Sequence, residues 1–201
     1  MKVAIVNFPG TNCERDSKYA FDKLGCETQI IWHKETDINA DLIVLPGGFS
    51  HGDYLRTAAI AKFSPVMQAV LDHARKGGYI LGICNGFQML LELGLLAGAM
   101  SRNINLSFIS KFHNLRVVSN DNKFLHCCDK GEILNIPIAH GEGNYYASAD
   151  TLKSLYDEDC VLLKYCDAKG ADLNPNGSVD AIAGICDKNK KIFGLMPHPE
   201  R

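Results

Sequence analysis

One of the eight cysteines in this 201-residue sequence stands in a setting that can make it a nucleophile. Gly82-Ile83-Cys84-Asn85-Gly86 has the form of a nucleophile elbow, with cysteine where serine stands in G-x-S-x-G. Such an elbow needs a buried strand before it and a helix after it. Tyr79 to Ile83 (YILGI) reads as that strand and Phe87 to Leu95 (FQMLLELGL) as that helix. A sharp strand-to-helix turn strains the nucleophile's backbone, and the flanking glycines leave room for neighbouring chain. The helix N-terminus then lies beneath the sulfur, where its unpaired N–H groups and dipole favour thiolate over thiol. The same N–H groups can hold an oxyanion. The plainer reading of the pentapeptide, a buried cysteine between two packing glycines, is weakened by this context.

A cysteine nucleophile needs a base, and Met196-Pro197-His198-Pro199-Glu200 offers one. Pro199 pushes His198 toward extended geometry, and in an extended segment residues i and i+2 share a face. Glu200 can therefore fix the tautomer of His198 while the other ring nitrogen faces Cys84, which is triad logic in the order Cys, His, Glu. A third element, Pro46-Gly47-Gly48-Phe49-Ser50, follows a predicted strand. It reads either as a tight turn or as a loop whose backbone N–H faces a substrate oxygen. No phosphate-loop or dinucleotide-binding motif occurs.

These residues must be positioned by a scaffold, and the first half of the chain supplies one. Lys2 to Phe8, Glu27 to Trp32, Asp41 to Leu45 and Tyr79 to Ile83 are predicted strands. A helix after Pro9-Gly10 carries Cys13, Ser17, Ala20, Phe21 and Leu24 on one face, with Thr11 and Glu14 as a capping box and Gly25 as its end. Another is centred on Pro65 to Lys76. This alternation predicts βαβ units around a mostly parallel sheet. Beyond Asn105 the runs shorten, and Leu115 to Ser119 and Ile133 to Ile138 read as antiparallel strands added at the sheet edge. Val161 to Tyr165, Ala181 to Cys186 and Lys191 to Leu195 are further strands, the last two joined by a hairpin turn over residues 187–190. The expected fold class is α/β, a single domain over residues 1–201 with a flavodoxin-like sheet flanked by helices.

Composition limits the remaining choices. A formal charge of -2 gives no basic surplus for nucleic acid. No apolar run reaches the roughly 20 residues that span a bilayer, and no export signal precedes the first strand. A cytoplasmic protein with reduced cysteines is expected. They show no C-x-x-C pair or zinc-ligand spacing, and no metal is expected.

The G-x-C-x-G-x-Q run from Gly82 to Gln88 and the late His-Pro-Glu together resemble the class I glutamine amidotransferases. The resemblance spans the chain. Residues 8–14 (FPGTNCE), 46–56 (PGGFSHGDYLR), 84–88 (CNGFQ), 140–143 (HGEG) and 196–201 (MPHPER) are similar to the glutaminase-subunit family of phosphoribosylformylglycinamidine synthase. The resemblance implies Cys84 as nucleophile, His198 as general base and acid, and Glu200 as its orienting partner. It further implies an oxyanion hole from the N–H groups of Asn85 and Gly48, and glutamine held by Gly47 and Gln88. Glutamine would yield glutamate and ammonia through a glutamyl thioester.

Nothing in the sequence looks able to bind ATP or formylglycinamide ribonucleotide. The resemblance therefore implies a synthetase partner that holds ATP and magnesium and consumes the ammonia, with a further small subunit in some assemblies. His140 to Gly143 reads as pocket lining, partner contact or a plain glycine-rich turn. Tyr is usual in the family where His51 stands, a harmless change. Family members continue past the His-Pro-Glu-Arg motif, whereas this sequence ends at Arg201, so loss of a closing element would loosen His198 and Glu200. Three alternatives remain at this level: a glutaminase subunit of another pathway, a cysteine-dependent protease-like or stress protein, and an inert interaction subunit.

Overall fold

The computed structural model describes residues 1–201. Five apolar, largely β-branched runs form its parallel half: β1 (Lys2–Asn7), β2 (Glu27–Trp32), β3 (Leu42–Leu45), β4 (Tyr79–Ile83) and β11 (Ile192–Leu195). β3 and β11 are buried at every position, as expected where both sheet faces are covered. Each fully buried Val or Ile, such as Ile5 and Ile43, contributes roughly 1.5–3 kcal/mol. The second half adds β6 (Ile109–Val117), β7 (Ile133–His140), β9 (Val161–Cys166) and β10 (Ile182–Cys186). The nine strands make one mixed sheet in the order β2-β1-β3-β4-β11-β10-β9-β6-β7. Pairings from β2 to β11 are parallel and those from β11 to β7 antiparallel. The antiparallel extension expected at the sheet edge is present, with β6 and β7 longer than their apolar cores suggested. β5 (Ala99–Ser101) and β8 (Asn144–Tyr146) pair separately.

Helices α1 (Glu14–Lys23), α2 (Val66–Arg75) and α3 (Asn85–Glu92) connect the parallel strands. The expected capping box at α1 does not form. The Thr11 hydroxyl accepts from the Phe8 N–H at 3.1 Å, and Cys13 takes the N-cap position without a side-chain bond. Leu24, expected on the buried face, is the C-cap residue and is exposed, because the chain turns away at Gly25 (φ 74°). Helix α3 begins two residues before the predicted start and ends three before the predicted end, since the elbow itself opens the helix. α4 (Ala149–Asp157), which sequence reasoning missed, is capped by Ser148 accepting from the Thr151 N–H and buries Leu155. The Asp187 carboxylate closes the β10–β11 hairpin by accepting from the N–H groups of Lys191 and Ile192, both at 2.7 Å. No helix is long and apolar enough to cross a membrane.

Candidate active site

Three neighbouring parallel strands deliver the candidate site. β3 pairs with β4 through Leu45 and Gly82, and β4 pairs with β11 through Ile83 and Leu195. The segments leaving their carboxyl ends are Pro46-Gly47-Gly48, Cys84 and His198, so all three emerge where an open parallel sheet presents its ligand crevice. Residues 114 positions apart in sequence are thereby brought together by one ladder.

Cys84 holds φ 51° and ψ −105° at the N-cap of α3, a conformation that side chains avoid. Both elbow glycines are required sterically. A Cβ on Gly86 would lie 1.8 Å from the Leu45 carbonyl oxygen, and one on Gly82 would lie 2.6 Å from Leu90 Cδ1 and 2.7 Å from the Gly86 carbonyl oxygen. The Cys84 N–H donates to the Leu195 carbonyl at 2.8 Å, tying the elbow to the strand that carries the histidine.

His198 is 2% exposed. Its backbone N–H donates to the Pro137 carbonyl at 2.9 Å. Nδ1 lies 2.7 Å from Glu200 Oε1, and only 3% of the Glu200 side chain is exposed. The carboxylate accepts a hydrogen bond from Nδ1–H and leaves Nε2 as the proton acceptor. Nε2 is buried without a hydrogen-bond partner, and the Cys84 sulfur instead reaches the Ala139 carbonyl at 3.7 Å. The loose placement expected for His198 and Glu200 is not seen. Arg201 contributes to their order, donating from Nη2 to Cys13 Sγ at 3.0 Å and from Nε to Asp16 at 3.4 Å.

Gly47 stands behind the imidazole. A Cβ there would lie 2.6 Å from His198 Cε1 and 3.2 Å from Cys13 Sγ. Gly47 thus makes space for the base. Gly48 has φ 138°, and a Cβ on it would lie 2.7 Å from the Asn12 nitrogen. Gly48 borders Cys84 in two adjoining cavities. The Asn85 N–H, first in α3, has no intrahelical partner and points to the sulfur.

The electrostatics correct one expectation. Burial pushes the Cys84 thiol well above its ordinary value, and the nearby Cys13 and Glu200 push the same way; the Asn85 N–H opposes them. Desolvation outweighs the helix terminus, a balance that favours the thiol over the thiolate the elbow alone suggested. Burial likewise pushes Cys13 up to about 11, with Arg201 pulling it down. Cys13 Sγ, a His198 ring nitrogen and a Glu200 oxygen lie within 4.8 Å of one another. That set has the chemistry of a zinc site, but the histidine and glutamate are already bound to each other.

One cavity of about 190 Å³ opens on Cys84 and is bordered by Gly48, Asp53, Gln88, His140 and Glu142. At roughly 30 Å³ per liquid water it holds a molecule of amino-acid size. Gln88 is 4% exposed, and its carboxamide is already paired. Nε2 donates to the Glu142 carbonyl at 2.6 Å and Oε1 accepts from Asn85 Nδ2 at 3.0 Å. It thus braces the 140–143 turn against the elbow while lining the cavity. Asn85 Oδ1 accepts from the Ser50 N–H at 3.2 Å, joining the Gly47-Gly48 loop to the same brace. Burial, with the charge of Glu142, pushes the Asp53 carboxyl up to about 6.

Comparison with known proteins agrees with this geometry. The family described as the CobB/CobQ-like glutamine amidotransferase domain matches residues 1–201. The chain belongs to that family. Among its relatives, the phosphoribosylformylglycinamidine synthase subunit PurQ of Campylobacter jejuni is 70% identical over 201 residues, covering all of this chain and 87% of that protein. The PurQ subunit of Sulfurimonas denitrificans is 61% identical over 203 residues, covering all of this chain and 91% of the relative. The structure of PurLQS from Thermotoga maritima aligns with a TM-score of 0.89 at 40% identity, over the whole chain and 88% of that one. Within the glutamine amidotransferases the chain therefore falls in the PurQ group. A Thermoplasma acidophilum protein described as a GMP synthase subunit shares the fold, with a TM-score of 0.69 at 17% identity over all of this chain and 85% of that one.

In this glutamine amidotransferase, the seven residues expected at the site all gather around the β3, β4 and β11 ends. Sequence reasoning gave no role to Asp53, which borders the cavity, and left His140 unassigned. Asp53 lies in the PGGFSHGDYLR string, so its position was visible but its burial was not.

Proposed function

We propose that this chain is the glutaminase of a phosphoribosylformylglycinamidine synthase, acting in de novo purine synthesis. The observation that carries the reading is the elbow cysteine beside a buried His198–Glu200 pair on the adjacent strand. Residues 1–201 then work as one glutamine amidotransferase domain in the cytoplasm. The sulfur of Cys84 attacks the glutamine carboxamide carbon as its proton passes to His198 Nε2, and Glu200 holds the opposite nitrogen. The N–H groups of Asn85 and Gly48 receive the developing oxyanion.

Collapse breaks the C–N bond, and the proton on His198 leaves with the nitrogen as ammonia. His198 then takes a proton from water, whose oxygen attacks the glutamyl thioester. The C–S bond breaks, the proton returns to sulfur, and glutamate is released. Gln88 borders the glutamine and braces the wall of its cavity.

The ammonia is used by a synthetase partner, which holds ATP and magnesium and converts formylglycinamide ribonucleotide to the amidine. The likeness to the structure of PurLQS from Thermotoga maritima supports work in a complex, which on this reading includes a further small subunit. The test is alkylation by a glutamine-shaped diazoketone, followed by peptide mapping, and a glutaminase assay with and without synthetase. The adduct should fall on Cys84 and the activity should rise on mixing; an adduct elsewhere, or no response to synthetase, overturns the reading.

A further inference from the structure

The mechanism leaves the 140–143 turn without chemistry, yet its histidine is held in a defined state. Asn103 is fully buried. Its Nδ2 donates to the Ser107 and His140 carbonyls, both at 2.9 Å, which fixes the orientation of its amide. Oδ1 must therefore be the acceptor that faces the Gly143 N–H at 3.0 Å and His140 Nδ1 at 3.1 Å. Nδ1 of His140 thus carries the proton, and Nε2 is left as a bare acceptor. Burial and the neighbouring His198 pull the His140 value down to about 4, so the ring stays neutral. It is 3% exposed, borders the cavity at Cys84, and its Nε2 has no hydrogen-bond partner.

The same cavity contains a second unanswered acceptor. Asp53 Oδ1 is buried and also unpartnered. Glu142 adds negative charge, with one oxygen taken by the Thr57 hydroxyl and the other 3.8 Å from Arg102 Nε. Away from the elbow amides, His140 Nε2, Asp53 Oδ1 and the Glu142 carboxylate give this lining acceptors and negative charge. Buried acceptors of this kind call for a ligand that supplies N–H groups and positive charge. Glutamine has one such group, its α-ammonium.

We propose that His140 and Asp53, in the field of Glu142, bind the α-ammonium of glutamine in the cavity that opens on Cys84 and so select an α-amino acid. The proposal rests on the glutaminase reading and adds a specificity determinant to it. A zwitterionic substrate is anchored by its ammonium while its carboxamide meets the elbow.

The test compares glutamine with 5-amino-5-oxopentanoate, the same molecule without its α-amino group, in the complex with synthetase. The wild-type protein should favour glutamine strongly in kcat/KM. In Asp53→Asn that preference should shrink by about 10- to 100-fold, the range expected for a lost hydrogen bond to a charged group. The change should come from a raised KM for glutamine, with the analogue unaffected. A preference unchanged in Asp53→Asn overturns the proposal, as does an equal loss on both substrates, which would mark a structural role.

A second measurement needs no variant: protection of Cys84 from iodoacetamide. Glutamine should protect at a concentration at least about tenfold lower than the analogue; equal protection overturns the proposal. Wild-type complex that hydrolyses neither compound sinks the glutaminase reading and this inference together, whereas hydrolysis of both at similar rates sinks only the inference.

Discussion

Cys84 and His198 follow residues that share one ladder: Ile83 and Leu195 are paired neighbours on β4 and β11, and the Cys84 N–H donates to the Leu195 carbonyl. The spacing of nucleophile and base is therefore set by sheet register and not by a flexible loop. A one-residue slip would turn every side chain of β11 to the opposite face, so the site and the core stand or fall together.

Glu200→Gln should preserve the fold and lower kcat by about 10²- to 10⁴-fold with little change in KM. The amide can donate to Nδ1, so the ring proton moves to Nε2, where the proton acceptor is needed. Steady-state kinetics gives the split, and imidazole nitrogen shifts report the tautomer. Unchanged kcat would remove Glu200 from the mechanism.

Gly47→Ala places a methyl 2.6 Å from His198 Cε1. The ring is boxed by its bond to Glu200, so it must shift or the loop must open. Overpacking of this kind costs about 1–3 kcal/mol. Urea unfolding should detect that loss. Activity should fall more than in proportion, because proton transfer depends steeply on geometry.

Gly86→Ala is expected to be much more damaging. Its methyl would meet the Leu45 carbonyl oxygen at 1.8 Å, and backbone on a central strand has nowhere to go. A loss of roughly 3 kcal/mol or more is expected, seen as poor soluble yield or a lowered unfolding midpoint. A well-folded Gly86→Ala protein would contradict the elbow geometry.

Asp53 gives a pH signature. Its folded carboxyl is raised to about 6 from 3.8, so the folded state holds this proton more tightly than the unfolded chain does. The resulting stabilisation is complete below about pH 4 and is lost as pH rises through about 6. Asp53→Asn removes that cost, and should raise the melting temperature of the unliganded protein at pH 7 while the difference fades near pH 4. Scanning calorimetry across this range checks the sign; a variant less stable at pH 7 would contradict it.

The parallel half was readable from sequence because its signals are local. Continuous β-branched runs such as Val3–Val6 and Leu42–Leu45, closed by glycine or proline, admit few other structures. The elbow was readable for the same reason. The capping box failed because two elements competed for Thr11, whose hydroxyl caps the end of β1 instead of α1. α4 escaped notice because it is short and largely polar, with only Leu155 fully committed to the core. The acceptor wall was harder still. Asp53, Asn103 and His140 come from three loops or strand ends, and nothing in their separate segments encodes that they meet.

The resting protonation of Cys84 has a consequence for durability. Peroxides and disulfides attack thiolates far faster than thiols. A sulfur kept neutral by burial, and hydrogen-bonded to a carbonyl in place of its base, is a poor target while idle. A bound substrate that draws the proton onto His198 brings out the reactive form, and that substrate also fills the space an oxidant would need. The nucleophile is most reactive during a turnover and slow to react between turnovers.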